Sequence, residues 1–256
     1  MPDKPDNAVE NYNELLSIIK ARKTCRGFTA DPVPDEYIEY MLEAARWAPS
    51  GANAQPWSFI VIKDPDVRKQ VLDAYNEYNM DFIYWVEQQR RPDLRHPAFR
   101  PSSSDLEDDL RLKTERTPFR DAPVIIAVVG DGRKQWATVM GAHTFSLDQT
   151  HLTDGMSNAT LLLQLAGAAL GLATQWVTIH IQEPFKQILG IPAPLVLHTI
   201  VPVGYPSAQT ASKRNPLDEM VHYDKYDMQK HLSNRQILER LAKLRGTTAD
   251  AYTTVI

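Results

Sequence analysis

Residues 48–63 read Ala-Pro-Ser-Gly-Ala-Asn-Ala-Gln-Pro-Trp-Ser-Phe-Ile-Val-Ile-Lys. Pro49 stops whatever helix precedes it, because the residue before a proline avoids the helical region. Small side chains and two amides follow, and Ser58–Lys63 is an aromatic and β-branched run that predicts a strand. Upstream, Asp31-Pro-Val-Pro-Asp-Glu36 announces a helix: Pro34 suits its first turn, and Asp35 and Glu36 complement its positive end. Ile38, Met41, Leu42 and Ala45 make the inner face of that helix. Downstream, Asp64-Pro65 closes the strand, and a further helix is expected from about Asp66 to the middle eighties.

The same alternation continues outward. Residues 12–21 carry Tyr12, Leu15, Leu16, Ile18 and Ile19 at helical spacing. Val124–Gly130 reads as a second strand, and a long loop of about 131–152 leads to a Leu-rich helix from about Asp154 to Leu170. Gly167 and Gly171 in that region permit close helix–helix approach. Thr174–Ile181 and Leu195–Val203 are expected strands, with a short helix between them starting near Pro184. Ser233-x-x-Gln236 has the capping-box spacing for a last helix carrying Ile237, Leu238, Leu241 and Leu244, ended by Gly246. Residues 89–121 differ, being rich in Arg, Pro, Ser and Asp, with a short helix expected at the Ser104–Glu107 capping box. Interleaved helices and strands point to one layered sheet-and-helix domain over 1–256, with a lid insertion at about 89–121 and a C-terminal extension at about 207–256.

Composition narrows the function classes. The chain has 256 residues, 43% hydrophobic and 23% charged, an ordinary globular mix. Lys and Arg total 28 against 32 Asp and Glu, which gives a net charge of −4 and demotes general nucleic-acid binding. Neither G-x-G-x-x-G nor G-x-x-x-x-G-K-[ST] occurs, so dinucleotide-binding and P-loop chemistry lose their usual signatures. The single cysteine, Cys25, forms no internal disulfide and fits a reducing cytoplasm. The polar start lacks a signal-peptide core, and the most apolar stretch, Leu161–Thr174, runs 14 residues and contains Gln164. It is too short to span a bilayer and reads as a buried helix.

Three stretches carry candidate chemistry. In Arg22-Lys-Thr-Cys-Arg-Gly-Phe28, three cations and a hydroxyl lie within five residues. A phosphate wants that set, although cations at the end of a helix also offset its negative pole. In 48–57, small residues let backbone approach a flat ring, and Asn53 and Gln55 each donate and accept; a plain helix-to-strand connection has the same composition. Lys213-Arg214-Asn-Pro-Leu217 sets two adjacent cations in an irregular tail, where such a pair is also ordinary solvated surface.

The order and spacing of these stretches resemble the nitroreductase family of FMN-dependent flavoproteins, including its branch with iodotyrosine deiodinase and the flavin-cleaving enzyme that makes dimethylbenzimidazole. The matching residues are Arg22, Thr24, Arg26 and Phe28, then Pro49, Ser50, Gly51, Pro56 and Trp57. Gly171-Leu-Ala173 before Trp176-Val-Thr178, Val203-Gly-Tyr-Pro206, and Lys213 to Leu217 continue the pattern. The resemblance covers about 12–224, except roughly 75–120 and 131–150. Lys23 and Thr24 stand for the commoner Arg and Ser and keep the charge and the hydroxyl; Ala173 replaces a usual Gly.

The resemblance implies an α+β fold: a three-layer α/β/α sandwich around a mainly antiparallel sheet, in an intertwined homodimer. It implies FMN as cofactor, with Arg22, Lys23 and Thr24 on its phosphate and ribityl chain and Arg26 at the N1 and O2 edge. Ser50, Gly51 and Ala52 would cover the ring from the other subunit, and Pro49 and Asn53 would also bind the cofactor. Trp176, Val177 and Thr178 would line its N5 side, and Lys213 and Arg214 would reach the phosphate. No side-chain acid or base is implied, because flavin N5 carries the chemistry while Arg26 and Thr178 tune it. The implied reaction is hydride transfer from NAD(P)H to an electron-poor aromatic acceptor such as a nitroaromatic or quinone, in a ping-pong cycle. Reductive dehalogenation, flavin cleavage and non-enzymatic flavin binding are the alternatives.

Other features are read two ways. Tyr75, Tyr78, Phe82, Tyr84 and Trp85, followed by Arg90, Arg91, Arg95 and Arg100, would stack on a planar substrate and attract its anionic group, or simply pack a helix and solvate its end. The histidines, among them His143, His151, His180, His198 and His222, lack metal-ligand spacing, so no metal site is expected. Cys25 is read as packing beneath the flavin arm, and Ser50 lacks the G-x-S-x-G elbow of a nucleophile.

Overall fold

A strand that is apolar at every position needs cover on both faces. Val124–Gly130 (β2) is such a strand, and all seven of its residues are buried. The computed structural model describes residues 7–80, 119–134, 147–208 and 214–245. In chain order these hold α1 (Ala8–Ala21), α2 (Asp35–Arg46), β1 (Trp57–Ile62), α3 (Pro65–Ala74), β2, α4 (Leu147–Ala169), β3 (Ala173–Thr174), β4 (Val177–Thr178), α5 (Glu183–Leu189), β5 (Val196–Gly204) and α6 (Asn234–Arg245). Residue contacts divide the chain into one unit of Met1–Phe82 with Arg111–Thr210 and a second of Ile83–Leu110 with Ala211–Ile256.

In the first unit the sheet runs β1–β2–β5–β3, with β4 also on β5, and every ladder is antiparallel. Side-chain alternation along β2 explains the layers. Ile125, Ala127 and Val129 face one cluster, with Val71 and Ala74 of α3 and Phe185 of α5. Val124, Ile126 and Val128 face the other, with Ile38, Met41 and Ala45 of α2 and Met156, Ala159 and Leu163 of α4. Helices therefore cover both faces of an antiparallel sheet, which is the α+β, three-layer fold expected.

Local rules account for most boundaries. Asp64 accepts hydrogen bonds from the backbone N–H groups of Asp66 and Val67 and so caps α3, with Pro65 at its start. Pro34 stands at the cap position of α2, one residue ahead of the first turn. Gly190 adopts the left-handed conformation that ends α5. In the second unit, Ser233 and Gln236 form the reciprocal capping box: Gln236 Oε1 accepts from Ser233 N (2.8 Å), and Gln236 N donates to Ser233 Oγ (3.3 Å).

Three expectations change. The loop of about 131–152 is shorter at its far end, because α4 begins at Leu147 and Asp154 lies inside it. Gly155 is buried in that helix, and a Cβ there would lie 3.3 Å from Ser50 Cβ and 3.4 Å from Pro56 Cγ, so tertiary packing overrides its low propensity. The strand expected over Thr174–Ile181 is two short pieces, β3 and β4, broken at Gln175–Trp176. Gly167 brings α4 close to Met41, as its spacing implied, whereas Gly171 adopts φ +75° and ends the helix, with Leu172 N donating to the Gly167 carbonyl at 2.8 Å. The short helix at Ser104 and the aromatic and basic positions from 82 to 100 lie outside the described residues.

Ile126 is fully buried at the centre of β2. Ile126→Ala is expected to lower unfolding free energy by about 2–5 kcal/mol, read from chemical denaturation with the slope unchanged.

Candidate active site

Where α1 ends, the chain is stitched to the end of the sheet. Cys25 N donates to the Thr174 carbonyl (3.0 Å), Thr29 N to the Tyr205 carbonyl (2.9 Å), and Ser207 N to the Gly27 carbonyl (3.0 Å). Thr24 bridges Thr174 in parallel, and Phe28 bridges Pro206 in antiparallel fashion. A Cβ on Gly27 would lie 2.5 Å from Ser207 Oγ, so a side chain there would turn that hydroxyl aside. The apolar members of this segment, Cys25 and Phe28, are buried in the core, and the Cys25 thiol donates to the Gly27 carbonyl at 2.9 Å.

This stitching fixes Arg22, Lys23 and Thr24, all half-buried, on a cleft of about 240 Å³ whose other walls include Gln164 and Ala168 of α4 and Thr174 of β3. Gln164 is 3% exposed, and its Nε2 has no hydrogen-bond partner. A buried amide donor, two cations and a hydroxyl thus converge on one space. That set suits an oxygen-rich anionic ligand.

Arg26 is exposed and does not line the cleft. It lies near Tyr75, whose phenol is pushed above its ordinary value by burial, an effect that the Arg26 charge partly offsets. Tyr75 itself is packed edge-on against Phe119, with ring centroids 5.0 Å apart. It belongs to the core and not to a substrate platform. Tyr78 is exposed.

Pro49–Asn53 stand on a different surface of the same unit. The Pro49 carbonyl accepts from Asn158 Nδ2 of α4 (3.1 Å), and Ser50 Oγ accepts from Gln55 N (2.9 Å). Ala52, Asn53 and Gln55 all have positive φ, between 46° and 52°. Three non-glycine residues in that region within four positions are costly, on the order of 1 kcal/mol each. The turn is nevertheless exposed at Gly51, Ala52 and Asn53, so its shape is held by its own hydrogen bonds and by α4, not by burial.

Val177 is buried under β5, where its carbonyl accepts from Thr199 Oγ1 (2.7 Å), while Thr178 is exposed. Trp176 is half-buried and meets His198 edge-on, with centroids 5.2 Å apart. His198 sits where the β2–β5 register slips between Val128 and Val129, so it is the extra residue of a bulge. Its Nε2 lies 3.4 Å from Ser157 Oγ of α4. Burial pushes its pKa below the ordinary value of 6.5. Arg214 is exposed in the second unit, and Lys213 lies outside the described residues.

The structure therefore brings Arg22, Lys23 and Thr24 together, and it keeps Pro49–Asn53 and Trp176–Thr178 outside that cleft within one subunit. Gln164 was the residue that sequence reading missed. Its signal was its polarity inside the apolar run Leu161–Thr174. Among the described residues, no cluster of His, Cys, Asp and Glu could hold a metal ion, and no helix is long and apolar enough to cross a membrane.

Comparison with known proteins agrees with the motifs. The model described as "Nitroreductase family" matches residues 19–205. Iodotyrosine deiodinase 1 of Pongo abelii is 27% identical over 227 residues, covering 83% of this chain and 69% of that protein. A putative NADH dehydrogenase/NAD(P)H nitroreductase of Archaeoglobus fulgidus is 24% identical over 197 residues, covering 75% of this chain and 86% of that protein. The crystal structure of oxidised iodotyrosine deiodinase bound to FMN and 3-iodo-L-tyrosine superimposes with a TM-score of 0.61 at 26% identity, covering 83% of this chain and all of that one, 100%.

Because folding lowers the proton affinity of His198, the unfolded chain binds the extra proton first as pH falls. The corresponding stability is fully present above about 6.5 and is lost on acidification below it. His198→Gln should therefore flatten the fall in stability on acidification below pH ~6.5, measured as denaturation midpoint against pH. An unchanged slope contradicts the burial of a neutral imidazole.

Proposed function

The chain belongs to the nitroreductase family, and on that premise we propose that it is a homodimeric oxidoreductase that uses FMN to reduce an electron-poor aromatic substrate. The observation that carries this reading is the cleft at Arg22–Thr24, where two cations, a hydroxyl and a buried unpartnered amide N–H converge. FMN in the similar deiodinase structure supports the choice of cofactor.

The residues fit that group. Arg22 and Lys23 would neutralise the phosphate, and Thr24 would donate its hydroxyl hydrogen to the phosphate or the ribityl chain. Arg26, exposed just beyond the cleft, would place its cation at the N1 and O2 edge of the ring, where reduction accumulates negative charge. Trp176, Val177 and Thr178 would line the N5 side. The rigid left-handed turn at Pro49, Ser50, Gly51, Ala52 and Asn53 would cover the ring of the partner subunit's site. Its exposure in one chain and its internally satisfied hydrogen bonds suit that use. Bound there, FMN would supply the two-electron relay at its N5, from NAD(P)H to a nitroaromatic or quinone, in a ping-pong cycle.

The surface of α1 supports the dimer. This helix buries no residue, and Val9, Tyr12, Leu15 and Ile19 form an exposed apolar stripe along it, with Val9 at 73%. Leu161 of α4 is exposed as well. A stripe of this kind calls for cover. The whole chain, 1–256, would then act as one nitroreductase-like domain per subunit.

Reductive dehalogenation is the second reading, favoured by the deiodinase relatives. Anaerobic mixing of the purified flavoprotein with NADPH or NADH tests the primary one. Bleaching of the flavin bands, and their return with a nitroaromatic or quinone, is the expected result. Bleaching only by dithionite, followed by iodide release from 3-iodotyrosine, would replace it with the second. For Arg26, replacement by Ala is expected to weaken FMN binding roughly tenfold or to lower the midpoint potential. Unchanged flavin content together with an unchanged potential contradicts its role.

A further inference from the structure

Buried side-chain donors are almost always satisfied, and leaving one unpaired costs free energy. Among the described residues, two buried side-chain atoms lack a partner: Gln164 Nε2 and Gln175 Oε1. Gln175 does not line the cleft, and Gln164 does. Gln164 projects from the last two turns of α4, a helix otherwise apolar from Leu161 to Leu165, into a space whose rim carries Arg22, Lys23 and Thr24. The cations have an ordinary explanation, since α1 ends at Ala21 and α4 at Ala169, and both helix ends present negative poles here. Gln164 has no such explanation. An amide is neutral and does nothing for a helix pole, and apolar packing would be served better by leucine.

We infer that Gln164 is a cofactor-binding residue whose Nε2–H donates to an oxygen of the flavin's ribityl phosphate arm. This rests on the reading of the cleft as an FMN site. Arg22, Lys23 and Thr24 hold the arm from the half-buried rim, and Gln164 holds it from the floor. The contact adds no charge. It makes the site discriminate flavins that carry the arm from the bare ring.

The test compares binding of FMN, riboflavin and lumiflavin, which lacks the arm, to full-length apoprotein by quenching of flavin fluorescence. The variants are Gln164→Met, which keeps shape and removes the donor, and Gln164→Glu, which also adds a negative charge. Circular dichroism and dimer mass check folding for each. Gln164→Met is expected to weaken FMN binding roughly tenfold while leaving lumiflavin binding unchanged. Gln164→Glu is expected to weaken FMN further. Equal weakening of riboflavin assigns the acceptor to the ribityl chain, and weakening of FMN alone assigns it to the phosphate. If wild type binds FMN and Gln164→Met binds it equally well, or if lumiflavin loses as much as FMN, the inference is overturned while the FMN reading stands. If wild type binds no FMN, the FMN reading itself fails and the inference with it.

Discussion

The hydrogen bond from Cys25 N to the Thr174 carbonyl is the constraint on which the candidate site depends. A helix end followed by an irregular segment has many conformations, and each fixed residue costs ~1–2 kcal/mol of backbone entropy. Here the bond to β3 and the pairings of Gly27 and Thr29 with Ser207 and Tyr205 remove that freedom. Burial of Cys25 and Phe28 drives the segment inward, and Arg22, Lys23 and Thr24 are left at the surface of the cleft. The phosphate site proposed for these three residues needs this rigidity, because cations on a mobile tail lose in entropy what they gain in attraction.

The strand β5 organises what surrounds the cleft. It pairs with β2 along one side and with both β3 and β4 along the other. Through β3 it anchors the cleft, and through β4 it positions Val177 and Thr178, with Thr199 holding the Val177 carbonyl. The bulge at His198 turns that ring onto Trp176 and toward Ser157, which ties the sheet to α4. The same helix carries Gln164 into the cleft and, through Asn158, grips the Pro49 turn. One helix and one strand therefore support every part of the candidate site described in the first unit.

Much of this was legible in the sequence. The uninterrupted apolar run at Val124–Gly130 required a strand covered on both sides, and Ser233-x-x-Gln236 carried its helix start in the spacing alone. Arg22, Lys23 and Thr24 were legible as a group because cations and a hydroxyl within three residues have a specific chemical use. The start of α4 was not legible: Thr153, Asp154 and Gly155 look like a boundary, yet the helix runs through them, with Gly155 packed against Ser50 and Pro56 while Thr153 and Asp154 face out. The break between β3 and β4 was hidden because Thr174, Trp176, Val177, Thr178 and Ile179 around it all favour strands. The left-handed turn at Ala52, Asn53 and Gln55 was invisible, because no residue type there demands positive φ. Gln164 was visible as a residue but not as a site, since an unsatisfied donor is a property of the folded surroundings.

A crystal structure of the full chain grown with FMN tests the central claim most directly. The account predicts a dimer with the flavin phosphate within hydrogen-bond distance of Lys23 or Thr24 in the cleft beside α4. Flavin density elsewhere, or a phosphate that none of Arg22, Lys23 and Thr24 touches, would contradict it.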